Sequence, residues 1–154
     1  MVHLPPSGES GNRHAVMAVL AGARADEIAG GLARIGDLSD FTELRPAETG
    51  LVMLRGRIGG DGAPFNAGEA TVTRAAVQIA SGEKGFAYVL GRDARKARLA
   101  ALCDALWQSA THRASIEQHV LAPLRTAQDE RRASQRAQTA ATRVDFFTLV
   151  RGED

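Results

Sequence analysis

The residues best suited to chemistry lie in a glycine-rich segment, residues 55–66, which carries Arg55, Arg57 and Asn66. Guanidinium groups and the backbone N–H groups of such loops suit phosphate oxygens, so the segment can be interpreted as a polyphosphate-binding loop to which Arg74 also contributes. Strand alternation places Arg55 and Arg57 on the same side. The segment has neither a Gly-Lys-Ser/Thr ending nor a GxGxxG motif between a strand and a helix. The absence of both nucleotide-binding motifs favours a second interpretation, in which the segment is an irregular turn between antiparallel strands. Both interpretations stay open.

Other reactive side chains show no spacing that brings them together. Of the four histidines only His112 and His119 are close in sequence, and a zinc site needs at least three protein ligands. The single cysteine, Cys103, lies in an apolar helical pattern, where a thiol is expected to behave as a small hydrophobe. We therefore predict no metal site and no catalytic residue in this chain.

Composition narrows the classes of function. The 154 residues suit one compact domain, and 19 basic against 18 acidic residues leave a net charge of +1. Such a balance gives no overall field that would attract nucleic acid, and the arginine-rich stretch at residues 125–143 has no interleaved aromatic residues to stack on bases. No apolar run approaches the ~20 residues that span a bilayer, and the polar start of the chain does not resemble a signal peptide. The chain is therefore predicted to be cytoplasmic, with no nucleic-acid or membrane partner.

The beginning of the chain predicts a tail followed by two helices. Residues 1–11 contain prolines, glycines and serines without apolar periodicity, which is typical of a loose tail. Residues 12–154 are treated as a single α+β domain. Within it, apolar residues at helical spacing predict one helix over residues 13–23 and another over residues 28–35.

The middle of the chain changes to a strand pattern, which predicts an antiparallel β-meander of three to four strands. The predicted strands are residues 51–57, 67–80 and 86–90, with residues 41–45 as a fourth at the edge. Val77 and Ile79 share one phase of the alternation, whereas Val72 lies on the other. A bulge near residues 74–76 would return Val72 to the same face, and we predict one there.

The last third of the chain predicts two further helices. Asp93 can cap a helix with a clear apolar face. That face consists of Leu99, Leu102, Cys103, Leu106 and Trp107. Ser115 and Gln118 then form a capping-box pattern for a fourth helix, which is expected to kink or restart at Pro123 because proline lacks the N–H that a helix interior requires.

The end of the chain reverses from polar to apolar. Beyond Leu124 the fourth helix has only a stripe of alanines, whose burial stabilises it little. The following segment, residues 144–153, is rich in large apolar residues that would be prone to aggregation in water. It must dock on this protein's own core or on another subunit, and the weak alanine stripe favours the second. The predicted interface residues are Val144, Phe146, Phe147, Leu149 and Val150.

Several long motifs resemble one known family. They are PAETGLVMLRGRIGG at 46–60, GAPFN at 62–66, GE at 68–69, TVTR at 71–74, AYVLGRD at 87–93 and TRVDFFTLVRGE at 142–153. Together they resemble PhnG, the G subunit of the bacterial carbon–phosphorus lyase system. The resemblance extends over roughly residues 13–153.

The resemblance implies a role in phosphonate breakdown within a core complex that also contains H, I and J subunits. The G, H and I subunits, with the L protein, are associated with transfer of the triphosphate-bearing ribose of ATP to a phosphonate, which releases adenine. The I subunit is implied to be the catalytic nucleosidase, and the G subunit its accessory neighbour. ATP, with Mg, is then a substrate of the complex, and this chain has no cofactor of its own. The radical cleavage of the carbon–phosphorus bond is implied to need an iron–sulfur cluster in another subunit.

Two alternatives from other classes stay open. In one, the chain is itself an enzyme that binds ATP or another polyphosphate through its glycine-rich loop. In the other, it is a homo-oligomeric binding module that uses its apolar C-terminal segment to bind a second copy. Binding of ATP to the isolated chain separates the first alternative from an accessory role.

Overall fold

The computed structural model describes residues 8–38 and 40–142, and it confirms the predicted α+β fold. Helices flank a three-stranded antiparallel meander on both sides in sequence, with strand order β1-β2-β3. The elements are α1 Gly8–Gly22, α2 Ala25–Ala33, β1 Phe41–Arg57, β2 Pro64–Ile79, β3 Lys84–Leu90, α3 Ala94–Gln108, α4 Arg113–Ile116 and α5 Ala122–Ala141. A π turn, Glu117–Leu121, joins α4 to α5 in one continuous kinked helix. The start of α1 at Gly8 lies inside the predicted tail, residues 1–11.

The sheet has two long strands and one short strand. Residues 41–45, predicted as a separate fourth strand, are instead the first part of β1, which continues to Arg57. The pairing of β1 with β2 shifts register between Glu43 and Arg45 and again between Arg45 and Glu48. These irregularities let the strand pass through Pro46, which cannot donate a ladder hydrogen bond.

The bulge predicted near residues 74–76 is wrong in its strand, because the register shifts opposite Val77, Ala76 and Arg74 place the extra residues in β1 and not in β2. The ladder between β2 and β3 is regular from Val72, opposite Leu90, to Gln78, opposite Lys84. Thr73 lies on the side of β2 that faces the core and is fully buried. Its hydroxyl tolerates burial because Oγ1 donates to Gly91 O at 2.7 Å and accepts from Asp93 N at 3.1 Å. Val72 therefore stays on the opposite side of the sheet.

The described helices pack on one side of the sheet, which we call the inner face; the other side is the outer face. Inner-face residues of β2 and β3 are Thr73, Ala75, Val77, Ile79, Gly85, Ala87 and Val89. At Gly85 an added Cβ would lie 1.9 Å from Ala101 O, so glycine lets the backbone of α3 approach β3 closely. The apolar face predicted for α3 is confirmed: four of its members are buried, and Leu99 is partly buried.

The start of the last helix differs from its prediction. The helix begins at Arg113 after His112, and Ser115 lies inside its first turn rather than at the cap. Arg113 fixes this start, because its Nε donates to Trp107 O at 2.9 Å and its guanidinium lies 4.3 Å from the centre of the Trp107 ring. The predicted interruption of the helix near Pro123 is confirmed, because the π turn ends just before α5 and Pro123 lies in the first turn of α5.

From residue 129 to residue 142 the end of α5 is exposed on all sides, including its alanine stripe. The predicted docking segment, residues 144–153, lies outside the described residues. None of the described helices is both long enough and apolar enough to cross a membrane.

Candidate functional site

The two long strands extend beyond the rest of the sheet as a hairpin. β3 ends at Leu90, opposite Val72, whereas β1 and β2 continue to pair from Leu51 with Thr71 to Arg57 with Pro64. We call residues 51–71 the hairpin arm. With a rise of ~3.4 Å per residue, the arm projects roughly 24 Å past the end of β3.

The glycine-rich segment forms the tip of this arm. A single 3-10 turn, Ile58–Gly60, contains Gly59 at φ 66°, a left-handed conformation that favours glycine. Gly62 N donates to Ile58 O at 3.0 Å and closes the turn, and Arg57 Nη1 donates to Gly62 O at 3.1 Å. The segment is therefore a turn between antiparallel strands, as the second interpretation of the sequence predicts.

The structure brings together three of the four predicted phosphate-binding residues. Arg55 pairs with Asn66 across the arm, and alternation along β1 places Arg57 on the same side as Arg55. Among the described residues, no hydrogen bond or ion pair engages the side chains of Arg55 and Asn66, so their donors are free to bind a ligand. Phosphate binding by this group stays a prediction.

Arg74 lies apart from that group, on the outer face. It lies eight positions along β2 from Asn66, a distance of roughly 27 Å along the strand. Arg74 Nε lies 2.7 Å from Glu48 Oε1, and Arg45 Nη1 lies 3.6 Å from the same oxygen. The hydrogen bond to Glu48 raises the pKa of Arg74. Arg74 is therefore part of an ion cluster and cannot share one polyphosphate with the tip of the arm.

In the described part of the chain, the outer face carries exposed apolar side chains around its ion cluster. Leu44, Phe86, Tyr88 and Leu90 are all exposed, and a groove of about 380 Å³ lies between the Leu44 and Phe86 sides of the sheet. Side chains of the arm continue this surface: Leu54 and Phe65 are exposed, and the Phe65 ring lies across Gly56, so close that an added Cβ would be 3.2 Å from it. Apolar surface of this extent typically marks a binding site for another macromolecule.

Sequence reasoning missed a buried acidic residue in α3. Asp104 is only 1% exposed; it accepts two hydrogen bonds from Arg13, at 2.8 and 2.6 Å, and one from Phe86 N at 2.8 Å. The pairing raises the pKa of Arg13 and connects α1, α3 and β3. An acidic residue among the apolar residues of a helix indicates a buried, paired carboxylate, and this signal could have identified Asp104 from the sequence.

The neighbouring Cys103 is fully buried, and burial raises the pKa of its thiol, which disfavours the reactive thiolate. The described part of the chain contains no group of three or more His, Cys, Asp or Glu side chains able to hold a metal ion.

A second polar cluster missed by the sequence joins α3 to the last helix. Trp107 Nε1 donates to Glu117 Oε1, and Arg125 Nη1 donates to Glu117 Oε2, each at 2.8 Å. Burial raises the pKa of Glu117, but the hydrogen bonds from Arg125 and Trp107 outweigh it and lower that pKa overall. The cluster holds the kinked helix against the core and leaves no free acid for catalysis at this position.

The described residues form an α+β domain with helices on one face of its sheet and exposed apolar side chains on the other face and on a hairpin arm. Such a surface is typical of a protein that binds other proteins. The family model described as Phosphonate metabolism protein PhnG matches residues 11–152, so the chain belongs to the PhnG family, as its motifs indicate. The chain is 53% identical over 141 residues to the Alpha-D-ribose 1-methylphosphonate 5-triphosphate synthase subunit PhnG of Rhizobium meliloti (strain 1021). The match covers 90% of this chain and 88% of that relative.

Proposed function

We propose that the chain is an accessory subunit of an alpha-D-ribose 1-methylphosphonate 5-triphosphate synthase in organic phosphonate catabolism. The observation that carries this proposal is the 53% identity, over 90% of the chain, to a relative named as that subunit. The reaction transfers ribose 5-triphosphate from ATP to a phosphonate and releases adenine. ATP, with Mg, is a substrate of the complex rather than a cofactor of this chain.

The partners we propose are the H, I and J subunits of the carbon–phosphorus lyase core complex, with the I subunit closest and catalytic. The exposed outer face and hairpin arm support a role in assembly, because their apolar side chains contribute stabilising free energy only when another surface covers them. We place the complex in the cytoplasm.

The test is reconstitution of the complex from purified subunits of one organism, with and without this chain. Adenine release from ATP and methylphosphonate is followed by chromatography. We expect release to fall at least 100-fold when the chain is left out and the chain alone to release none. Adenine release by the isolated chain, or micromolar binding of ATP to it, would instead favour the alternative in which this chain is the enzyme.

We propose that Arg55 and Arg57 at the arm contribute to binding of substrate phosphates, with Asn66 beside them. Arg55→Ala removes a guanidinium that is free of other described contacts and is expected to raise the KM for ATP of the complex about tenfold. Arg92→Ala, which removes an exposed arginine outside the arm, is the matched control and should stay within twofold. Unchanged kinetics in both Arg55→Ala and Arg57→Ala would remove the arm from the substrate site.

We also propose that the C-terminal segment, residues 144–153, docks on a neighbouring subunit. Deletion of residues 144–150 is expected to abolish co-purification with the I subunit while the meander stays folded by circular dichroism. Collapse of the whole domain in the deletion variant would show instead that these residues complete this chain's own core.

A further inference from the structure

We infer that the outer face of the sheet receives another subunit of the synthase, through an apolar surface on that subunit that carries one carboxylate. This inference rests on the proposed function, since it takes the chain to be a subunit. It assigns the contact to one side of the described fold.

The apolar surface of the outer face is continuous. Exposed apolar side chains extend along the outer face from the three-stranded region into the arm. They are Phe86, Tyr88, Leu90, Leu54 and Phe65. Small residues lie between them along β1 and β2, notably Gly50, Ala70 and Ala76, so side chains of a partner can pack between the large ones.

The outer face carries a net positive charge. Within the described residues, the outer face carries one ion cluster, in which Arg45 and Arg74 share the single carboxylate of Glu48. The cluster has a net charge of +1, and both guanidiniums are partly exposed with unused N–H donors. A carboxylate from a partner would complete it with charge-assisted hydrogen bonds.

The same charge argues against a second copy of this chain as the occupant. Glu48 is the acidic residue of this cluster and is already paired, so an identical outer face offers no free carboxylate to the two arginines. Two copies face to face would bring like charges together, which disfavours association. A different subunit is therefore the occupant that the surface fits.

The area is adequate for a stable contact. β1 has 17 residues, β2 has 16 and β3 has 7, which at ~3.4 Å per residue and ~4.8 Å between strands gives the outer face an area on the order of 650 Å² before side-chain relief. A standard protein interface buries about 800 Å² on each partner. The outer face thus supplies most of one partner's share.

The test uses the full chain and the remaining subunits of the complex, with affinity measured by biolayer interferometry. Leu90→Glu places a charge on the outer face at a residue that is 75% exposed. Leu51→Glu is the matched control, because Leu51 is 63% exposed but lies on the opposite side of the arm. We expect Leu90→Glu to weaken binding at least 100-fold and Leu51→Glu to change it less than threefold, with both variants melting within a few degrees of the unsubstituted chain.

A second variant tests the charge. Arg45→Glu is expected to weaken binding at least tenfold and to lower its dependence on salt, because the partner carboxylate then meets a negative group. Wild-type affinity in Arg45→Glu would overturn the predicted carboxylate.

The outcomes separate the inference from the proposed function. If the unsubstituted chain fails to bind the other subunits at all, the proposed function fails. If it binds and Leu90→Glu binds equally well, or Leu51→Glu is as damaging as Leu90→Glu, the inference alone is overturned. A concentration-dependent dimer of the isolated chain that Leu90→Glu dissolves would make a second copy the occupant and would also overturn it.

Discussion

The same two strands have opposite surroundings at their two ends. At one end of β2, Val77 is fully buried between β1, β3 and the helices. At the other end, Phe65 is 45% exposed and pairs only with β1. Both ends carry strand-forming apolar residues, so what distinguishes them is the presence of β3 and α3 and not the local preference for strand.

This contrast separates the two purposes that apolar residues serve in the chain. Burial of a large apolar side chain stabilises a folded chain by about 1.5–3 kcal/mol. In the described structure the core side of the three-stranded region gains this stabilisation, whereas the arm does not. The outer-side residues of the arm, Leu54 and Phe65, therefore add little to the stability of the isolated chain. Their contribution arises in association.

The largest expected effect is at Gly85, where α3 contacts β3 most closely. Gly85→Ala would place its Cβ 1.9 Å from Ala101 O and 2.5 Å from Ala105 N, and backbone atoms cannot move aside as flexible side chains do. We expect the free energy of unfolding to fall by more than about 3 kcal/mol. Urea unfolding followed by circular dichroism measures it.

Gly50→Ala is the control for Gly85→Ala. Gly50 lies in β1 next to the arm, and an added Cβ there meets no atom within 4 Å. The change should stay below about 1 kcal/mol. Equal losses at Gly50 and Gly85 would mean that the two regions do not differ in packing.

A pair of leucines tests the contrast with one substitution. Leu106 is buried in the core, whereas Leu54 is exposed on the arm. Leu106→Ala is expected to cost about 3 kcal/mol, from lost burial and the cavity it leaves, and Leu54→Ala less than about 0.5 kcal/mol. A cost above about 2 kcal/mol for Leu54→Ala in the isolated chain would show that the arm is packed rather than open.

The smallest expected effect is a dependence of stability on pH. The pKa of Glu117 is lowered in the folded chain from its usual 4.5, so the unfolded chain binds the proton first as pH falls. The stabilisation by Glu117 is therefore present above pH 4.5 and is lost as pH falls through the lowered value. It is less than about 1 kcal/mol because the carboxylate is partly exposed.

Urea unfolding at several pH values measures this effect. The fluorescence of Trp107, the single tryptophan, follows the unfolding, and its indole donates a hydrogen bond to Glu117 itself. Glu117→Gln should reduce the slope below pH 4.5. An identical pH dependence in Glu117→Gln and the unsubstituted chain would rule out this carboxylate as its source.

The sequence predicts helices and strands well where one face is buried and the other is exposed to solvent. In β3, for example, exposed and buried residues alternate from Lys84 to Leu90. The meander follows from alternation in the same way. The helix α3 is predicted although residues 100–107 are all buried, because alanines lie between its large apolar residues. The family is predicted from the long sequence motifs and not from helical spacing or strand alternation.

Alternation fails where both faces carry apolar residues. The predicted bulge near Arg74 assumes that Val72 must share the face of Val77, whereas Val72 is buried on the outer face beside Tyr88 and Leu90. The ion cluster on Arg74 and the pairing of Asp104 with Arg13 join residues 26 and 91 positions apart, and no local pattern encodes such contacts. Grouping Arg74 with Arg55 rests on residue type alone and ignores the length of the arm between them.

The most direct test of the contrast between the two regions is amide hydrogen exchange on the chain alone and in the assembled complex. In the isolated chain we expect peptides from residues 51–71 to exchange within minutes and those from α3 to stay protected, because the arm has few buried contacts. In the complex, peptides from the arm and from β3 should become protected by at least tenfold. Unchanged exchange of these peptides on assembly would contradict the claim that the arm and the outer face exist to bind another subunit.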